Sequence, residues 1–125
     1  MKKRILIVED EAIVAKSLMI CLRLSGYDVL EAVSTGEAAL NSAKANDPDL
    51  IVMDVRLRGP LNGYEIMTRI RSHSQIPVVY MTAGEAEEID QEAVNTKPYD
   101  YILKPFDHSV LLEKIKKLVE SSLPA

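Results

Sequence analysis

Three acids stand in a row at Glu9, Asp10 and Glu11, directly after the apolar run Ile5-Leu6-Ile7-Val8. Asp54 closes a second such run, Leu50-Ile51-Val52-Met53, while Thr82 and Lys104 follow two more, Val78 to Met81 and Tyr101 to Leu103. Carboxylates brought close together repel one another, and a cation is the usual means of keeping them ionised. Oxygen ligands of this kind suit Mg²⁺, which takes one or two carboxylates, keeps several waters and often shares a phosphate oxygen. A carboxylate can also attack phosphorus and form an aspartyl phosphate. The charge that develops on the transferred group then needs a metal, a cation and hydroxyl or amide donors, which are roles for Asp10, Lys104 and Thr82. Each residue taken alone has an ordinary explanation: acids favour the positive end of a helix, and Asp, Thr and Lys-Pro are common turn and strand-end residues. Their joint position after four apolar runs points to a site.

The runs that carry these residues are short, near-continuously apolar and rich in β-branched or aromatic side chains, the pattern of strands buried on both faces. A weaker run over 28–33 includes Asp28 and Glu31 and reads as a strand nearer the sheet edge. Helical spacing fills the intervals. Val14, Leu18, Cys21 and Leu22 form a first stripe that Gly26 ends. Ser34-Thr35-Gly36-Glu37 has the form of a capping box, and Asn62-Gly63-Tyr64-Glu65 opens a third helix with Ile66 and Ile70 on its inner face. Residues 85–95 make an acidic fourth, and Asp107 caps a fifth whose stripe is Leu111, Ile115 and Leu118. Strand and helix alternating in this way predict a doubly wound α/β fold, a parallel sheet with helices on both faces. Ligands of such sheets bind beyond the carboxyl ends of the strands, where the chemistry-bearing residues fall.

Composition narrows the function. The 125 residues suit one domain, with residues 121–125 a tail or the start of a linker, and 47% hydrophobic content suffices for a core. Fifteen basic against nineteen acidic residues leave a net charge of −4, so no direct nucleic-acid contact is expected. No apolar run reaches the roughly 20 residues of a membrane helix, so a cytoplasmic protein without membrane contact is expected. The single cysteine, Cys21, excludes an intramolecular disulfide and a cysteine-cluster metal site. His73 and His108 lie away from the strand ends, so acyl transfer is not indicated, and the five glycines form neither a dinucleotide fingerprint nor a P-loop.

With those residues placed, the chain resembles the receiver domain of two-component response regulators over nearly its whole length. The resemblance is carried by Ile7-Val8-Glu9-Asp10-Glu11, Val52-Met53-Asp54-Val55, Gly63-Tyr64-Glu65, Tyr80-Met81-Thr82-Ala83 and Leu103-Lys104-Pro105-Phe106, in that order. It implies a flavodoxin-like five-stranded parallel sheet of order 2-1-3-4-5 flanked by five helices. It implies Asp54 as phosphoacceptor and a Mg²⁺ site of Glu9, Asp10, Asp54 and the backbone carbonyl of Arg56. Lys104 and Thr82 would hold the phosphoryl group with the Ala83 amide, Thr82 and Tyr101 would switch together, and the Lys104–Pro105 peptide would be cis. It implies a histidine kinase or phosphotransfer domain as phosphodonor. A downstream partner or output domain would dock on the face of the fourth helix, fifth strand and fifth helix, and phosphorylation would favour a homodimer. Such a domain is not an enzyme toward external substrates, and it catalyses only its own phosphorylation and dephosphorylation.

Three positions depart from the family pattern. The loop from Asp54 to Gly63 spans nine positions, one more than usual, and its Leu57-Arg58-Gly59 form is met in receivers associated with sensory kinases. Lys97-Pro98 stands where a small Gly-Ala pair usually precedes the last strand, and Glu9 replaces the commoner Asp. A phosphohydrolase working through an aspartyl enzyme is the competing class. It calls for a second Asp two residues after the nucleophile, where this chain has Arg56.

Overall fold

The computed structural model describes residues 2–83 and 93–121. Five strands, β1 (Arg4–Val8), β2 (Asp28–Val33), β3 (Leu50–Asp54), β4 (Val78–Thr82) and β5 (Tyr99–Leu103), form one parallel sheet in the order β2-β1-β3-β4-β5. Four helices of the described residues cover it: α1 (Ala12–Leu24), α2 (Gly36–Asn46), α3 (Gly63–Ile70) and α4 (His108–Ser121). The helix expected over 85–95 falls mainly on residues outside the described ones, and a 3₁₀ turn occupies Val94–Thr96.

Successive strand residues point to opposite faces, and here both faces are apolar. Leu6, Val8, Ile51, Met53, Val78 and Tyr80 pack under α2 and α3, with Ile66, Met67 and Ile70 fully buried. Ile5, Ile7, Leu50, Val52, Val79 and Met81 face Leu18 and Leu22 of α1 and Leu111 and Ile115 of α4. Two layers of helix on one sheet account for the unbroken apolar runs of the central strands. Strand β2 lies at the edge, as its two acids suggest. The reading of β5 as buried on both faces is corrected: it is the opposite edge strand, with Ile102 buried, Tyr99 and Tyr101 half-buried and Leu103 exposed. An edge strand has a neighbour on one side only, so aromatic content there does not imply full burial.

The helix starts place the site. Asn62 and Glu65 form a reciprocal capping box, Asn62 Oδ1 accepting from the Glu65 amide at 2.9 Å and Glu65 Oε1 from the Asn62 amide at 3.0 Å. The capping box expected at Ser34 does not form. Thr35 is the cap instead, its Oγ1 accepting from the Ala38 amide at 3.1 Å, and Glu37 stands in the first turn where the helix dipole favours it. Gly26, at φ +95°, ends the α1 segment as expected. Cys21 is half-buried rather than core.

Gly63 sets α3 directly on the end of β3. Its amide donates to the Val55 carbonyl at 2.8 Å, and an added Cβ would lie 2.7 Å from the Asp54 carbonyl oxygen and 2.9 Å from the Val55 Cα. Backbone cannot retreat as a flexible side chain can. Gly63→Ala is therefore expected to lower unfolding free energy by about 1–3 kcal/mol, the range for overpacking a close contact. Urea denaturation of the two proteins measures it, and an unchanged midpoint contradicts the close-packing account.

Candidate functional site: an acid cluster at the carboxyl edge of the sheet

Asp54 is the last residue of β3, and β1 beside it delivers Glu9 and Asp10 one and two residues past its own end. The ladder continues beyond the strands, with the Glu9 amide donating to Val33 at 2.9 Å and the Lys104 amide to Thr82 at 2.8 Å, so these residues sit on rigid backbone. Ligand oxygens of Glu9, Asp10 and Asp54 all lie within 4.8 Å of one another. Lys104 Nζ stands 3.5 Å from Glu9 Oε1 and 3.5 Å from Asp54 Oδ2. Asp54 Oδ1 accepts the Arg56 amide at 3.1 Å, which holds the turn carrying the Arg56 carbonyl against Asp54. Thr82, 3% exposed, ends β4 beside β3, and Ala83 follows it at the same edge. The sheet thus brings together the predicted acceptor, acid pair, hydroxyl and ammonium. The Lys104–Pro105 peptide is cis, as is Lys97–Pro98, which was not foreseen.

Glu9 carries the strongest signal. It is 2% exposed, and neither carboxylate oxygen has a hydrogen-bond partner. Burial first, and then Asp54 beside it, raise its pKa from 4.5 to about 8, with Lys104 opposing. A buried carboxylate without donors either takes up a proton or holds a cation. Three acids converging on one point with that unpartnered member fit a hard divalent cation, and the oxygen-only donor set fits Mg²⁺.

Tyr101, on β5, is half-buried, packed at the margin of the core layer under α2 and α3, and Lys114 Nζ of α4 lies 5.9 Å from its ring centroid. The segment before it is held from the sheet interior. Arg71, just past α3, donates Nε to the carbonyls of Thr96 (3.1 Å) and Lys97 (3.0 Å) and Nη2 to that of Pro98 (3.2 Å). The buried Tyr80 hydroxyl donates to Thr96 Oγ1 at 2.7 Å, and Thr96 in turn donates to the Ala93 carbonyl. The sequence reading missed Arg71 and Tyr80 in this role. It also missed Arg58, whose amide donates to Asp10 Oδ2 at 3.0 Å and whose Nε lies 3.7 Å from the same oxygen. A contact between residues 48 apart has no local signature in sequence.

A family model for the response regulator receiver domain matches residues 5–116. The chain belongs to the response regulator receiver domain family. It is 36% identical over 123 residues to the alkaline phosphatase synthesis transcriptional regulatory protein PhoP of Bacillus subtilis, covering 98% of this chain and 50% of PhoP. It is 33% identical over 117 residues to the DNA-binding response regulator MtrA of Mycobacterium tuberculosis, covering 93% and 50%. The chain spans about half the length of these curated relatives. Among solved structures, the signal receiver domain of a modulated diguanylate cyclase from Desulfovibrio desulfuricans G20 superposes with a TM-score of 0.87, 31% identity, and 97% and 96% coverage. The receiver domain of a signal transduction histidine kinase from Syntrophus aciditrophicus gives 0.86 at 28% identity, covering 98% and 94%. The receiver fold and the sheet order expected from sequence are those observed. No helix of the described residues is long and apolar enough to cross a membrane.

The raised Glu9 pKa has a definite sign in stability. The folded protein binds the Glu9 proton more tightly than the unfolded chain, so this group disfavours folding increasingly as pH rises from 4.5 to about 8. In metal-free protein, Glu9→Gln is expected to melt higher than wild type, by a margin that widens across that window. Melting curves at several pH values in a chelating buffer give the difference, and a margin independent of pH contradicts an ionising buried Glu9.

Proposed function

We propose that the domain accepts a phosphoryl group on Asp54 from a phosphohistidine of a histidine kinase or phosphotransfer domain, with Mg²⁺ bound, and changes conformation to signal. The observation that carries the reading is Asp54 at the end of β3, with Lys104 Nζ 3.5 Å from Oδ2 and the Glu9–Asp10 pair within 4.8 Å. An Asp54 carboxylate oxygen attacks phosphorus, the bond from phosphorus to the histidine nitrogen breaks, and the leaving imidazole recovers its electron pair. Glu9, Asp10, Asp54 and the Arg56 carbonyl would hold the Mg²⁺, which supplies charge neutralisation at the phosphoryl oxygens. Lys104, already beside Asp54, balances charge on the transferred group, and the Thr82 hydroxyl and Ala83 amide are placed at the same edge to donate to it.

The half-buried position of Tyr101 supports a paired movement with Thr82, the ring going inward as the hydroxyl turns toward the phosphoryl group. Part of the expected output face, the fourth helix, lies outside the described residues. Its β5 and α4 portions bear exposed Leu103 and Val110, consistent with a downstream partner or a second copy docking after phosphorylation. Arg56 in place of a second Asp supports self-phosphorylation over turnover of an external substrate. A cytoplasmic setting accords with this reading. MtrA is named as DNA-binding, and this chain covers half of it, so the acidic balance of this domain does not exclude nucleic acid from the partners of a longer protein.

Incubation with a small phosphodonor and Mg²⁺ tests the assignment. Wild type is expected to gain one phosphoryl group by mass spectrometry, and Asp54→Asn or omission of Mg²⁺ to abolish it. Equal modification of wild type and Asp54→Asn overturns Asp54 as the acceptor.

A further inference from the structure

The charge at the acid cluster is unevenly shared. Lys104 reaches Glu9 and Asp54, each at 3.5 Å. Among the described residues, the cation within ion-pair distance of Asp10 is Arg58. We propose that Arg58 sets the divalent-cation affinity of the cluster through two opposed contacts with Asp10: its backbone amide orients the carboxylate, and its guanidinium competes with the cation for it. The proposal rests on the reading of the cluster as a Mg²⁺ site.

The two contacts differ in how firmly they are held. Leu57 before Arg58 is 7% exposed in the core, and Leu61 after it packs on the same cluster, so the loop backbone is pinned on both sides. Gly59 at φ +114° turns the chain between them. The amide at 3.0 Å therefore comes with the fold. The guanidinium does not: its side chain is 89% exposed, against 12% for Asp10, and stands at 3.7 Å. An exposed ion pair of this kind is weak and readily broken.

Both contacts fall on Asp10 Oδ2, and no hydrogen bond among the described residues falls on Oδ1. Amide donation to one oxygen leaves the other available as a ligand and fixes its direction, so it is compatible with a bound cation. A guanidinium charge at the same carboxylate is not neutral toward that cation, because like charges repel and the negative potential that attracts the metal is already partly cancelled. Arg58 is thus a resident counter-ion of the metal-free cluster, displaced onto the open surface when the divalent ion enters.

Calorimetric titration of the metal-free protein with MgCl₂, at low and at raised ionic strength, tests both arms. Arg58→Ala keeps the amide and removes the charge, and it is expected to bind about two- to fivefold tighter than wild type at low salt, the range an exposed ion pair supports. Raised salt should shrink that gain by screening. Arg58→Pro removes charge and amide together and is expected to bind about tenfold weaker than Arg58→Ala, the scale for losing a partner that orients a metal ligand. Hydrogen exchange gives the amide arm a second readout that does not depend on how the proline variant folds: the residue 58 amide should be protected in wild type and in Arg58→Ala, with and without Mg²⁺. Binding by Arg58→Ala that equals or falls below wild type overturns the competition, and rapid exchange of that amide overturns the positioning. Mg²⁺ binding in wild type with no change in any variant overturns this proposal alone, whereas no binding in wild type overturns the metal reading with it.

Discussion

Glu9 is buried one residue past the end of β1, with neither oxygen hydrogen-bonded and two further carboxylates beside it, and much of the local architecture answers to that arrangement. Lys104 supplies one positive charge to Glu9 and Asp54 together, and Arg58 a second to Asp10. A carboxyl with a pKa raised to about 8 is one the fold holds at a cost near neutral pH. Such a cost persists where the surrounding structure is rigid enough to impose it. The same imbalance would give a cation something to stabilise, so the instability of the cluster and the metal affinity proposed for it would have one origin.

The rigidity comes from the sheet. Strands β1 and β3 are adjacent because the order reverses at β1, and their ends are the natural crevice of a doubly wound fold. Residues 9, 54 and 104 are not on free loops; each lies at or within one position of a strand end, and ladder hydrogen bonds run past those ends. From the other side, α3 rests on the Asp54–Val55 backbone at a spacing only Gly63 permits. Asp54 is therefore fixed by its strand, by its neighbouring strands and by the start of a helix.

What was legible in the sequence follows from what is local. Continuous apolar runs gave the strands and their two-faced burial, and the polar residue after each run gave the site, because strand ends and ligand crevice coincide in this fold. The Asn62–Glu65 box was legible because its partners are three residues apart. The cap of α2 lies one position later than the motif placed it, since Ser34 and Thr35 are both competent caps and Thr35 is the one that accepts the Ala38 amide. The edge position of β5 was hidden by its tyrosines. The Arg58–Asp10 and Arg71–Thr96 contacts join separate loops, so neither periodicity nor motif spacing could reveal them.

Those long-range contacts bear on how the proposed switch can move. Lys97-Pro98 stands in place of the small Gly-Ala pair usual before β5, in the loop that leads to Tyr101. Arg71 binds three consecutive carbonyls of that loop, from Thr96 to Pro98, and Tyr80 holds Thr96 from the neighbouring strand. Burial disfavours the Arg71 charge, so its guanidinium has every reason to keep these carbonyls as partners. The start of β5 is therefore tied to α3 and β4. Tyr101 lies three residues past that clamp on an edge strand, half-buried, with Lys114 Nζ of α4 5.9 Å from its ring centroid. Under the proposed switch, movement of Tyr101 with Thr82 would leave the segment before β5 with the body of the domain.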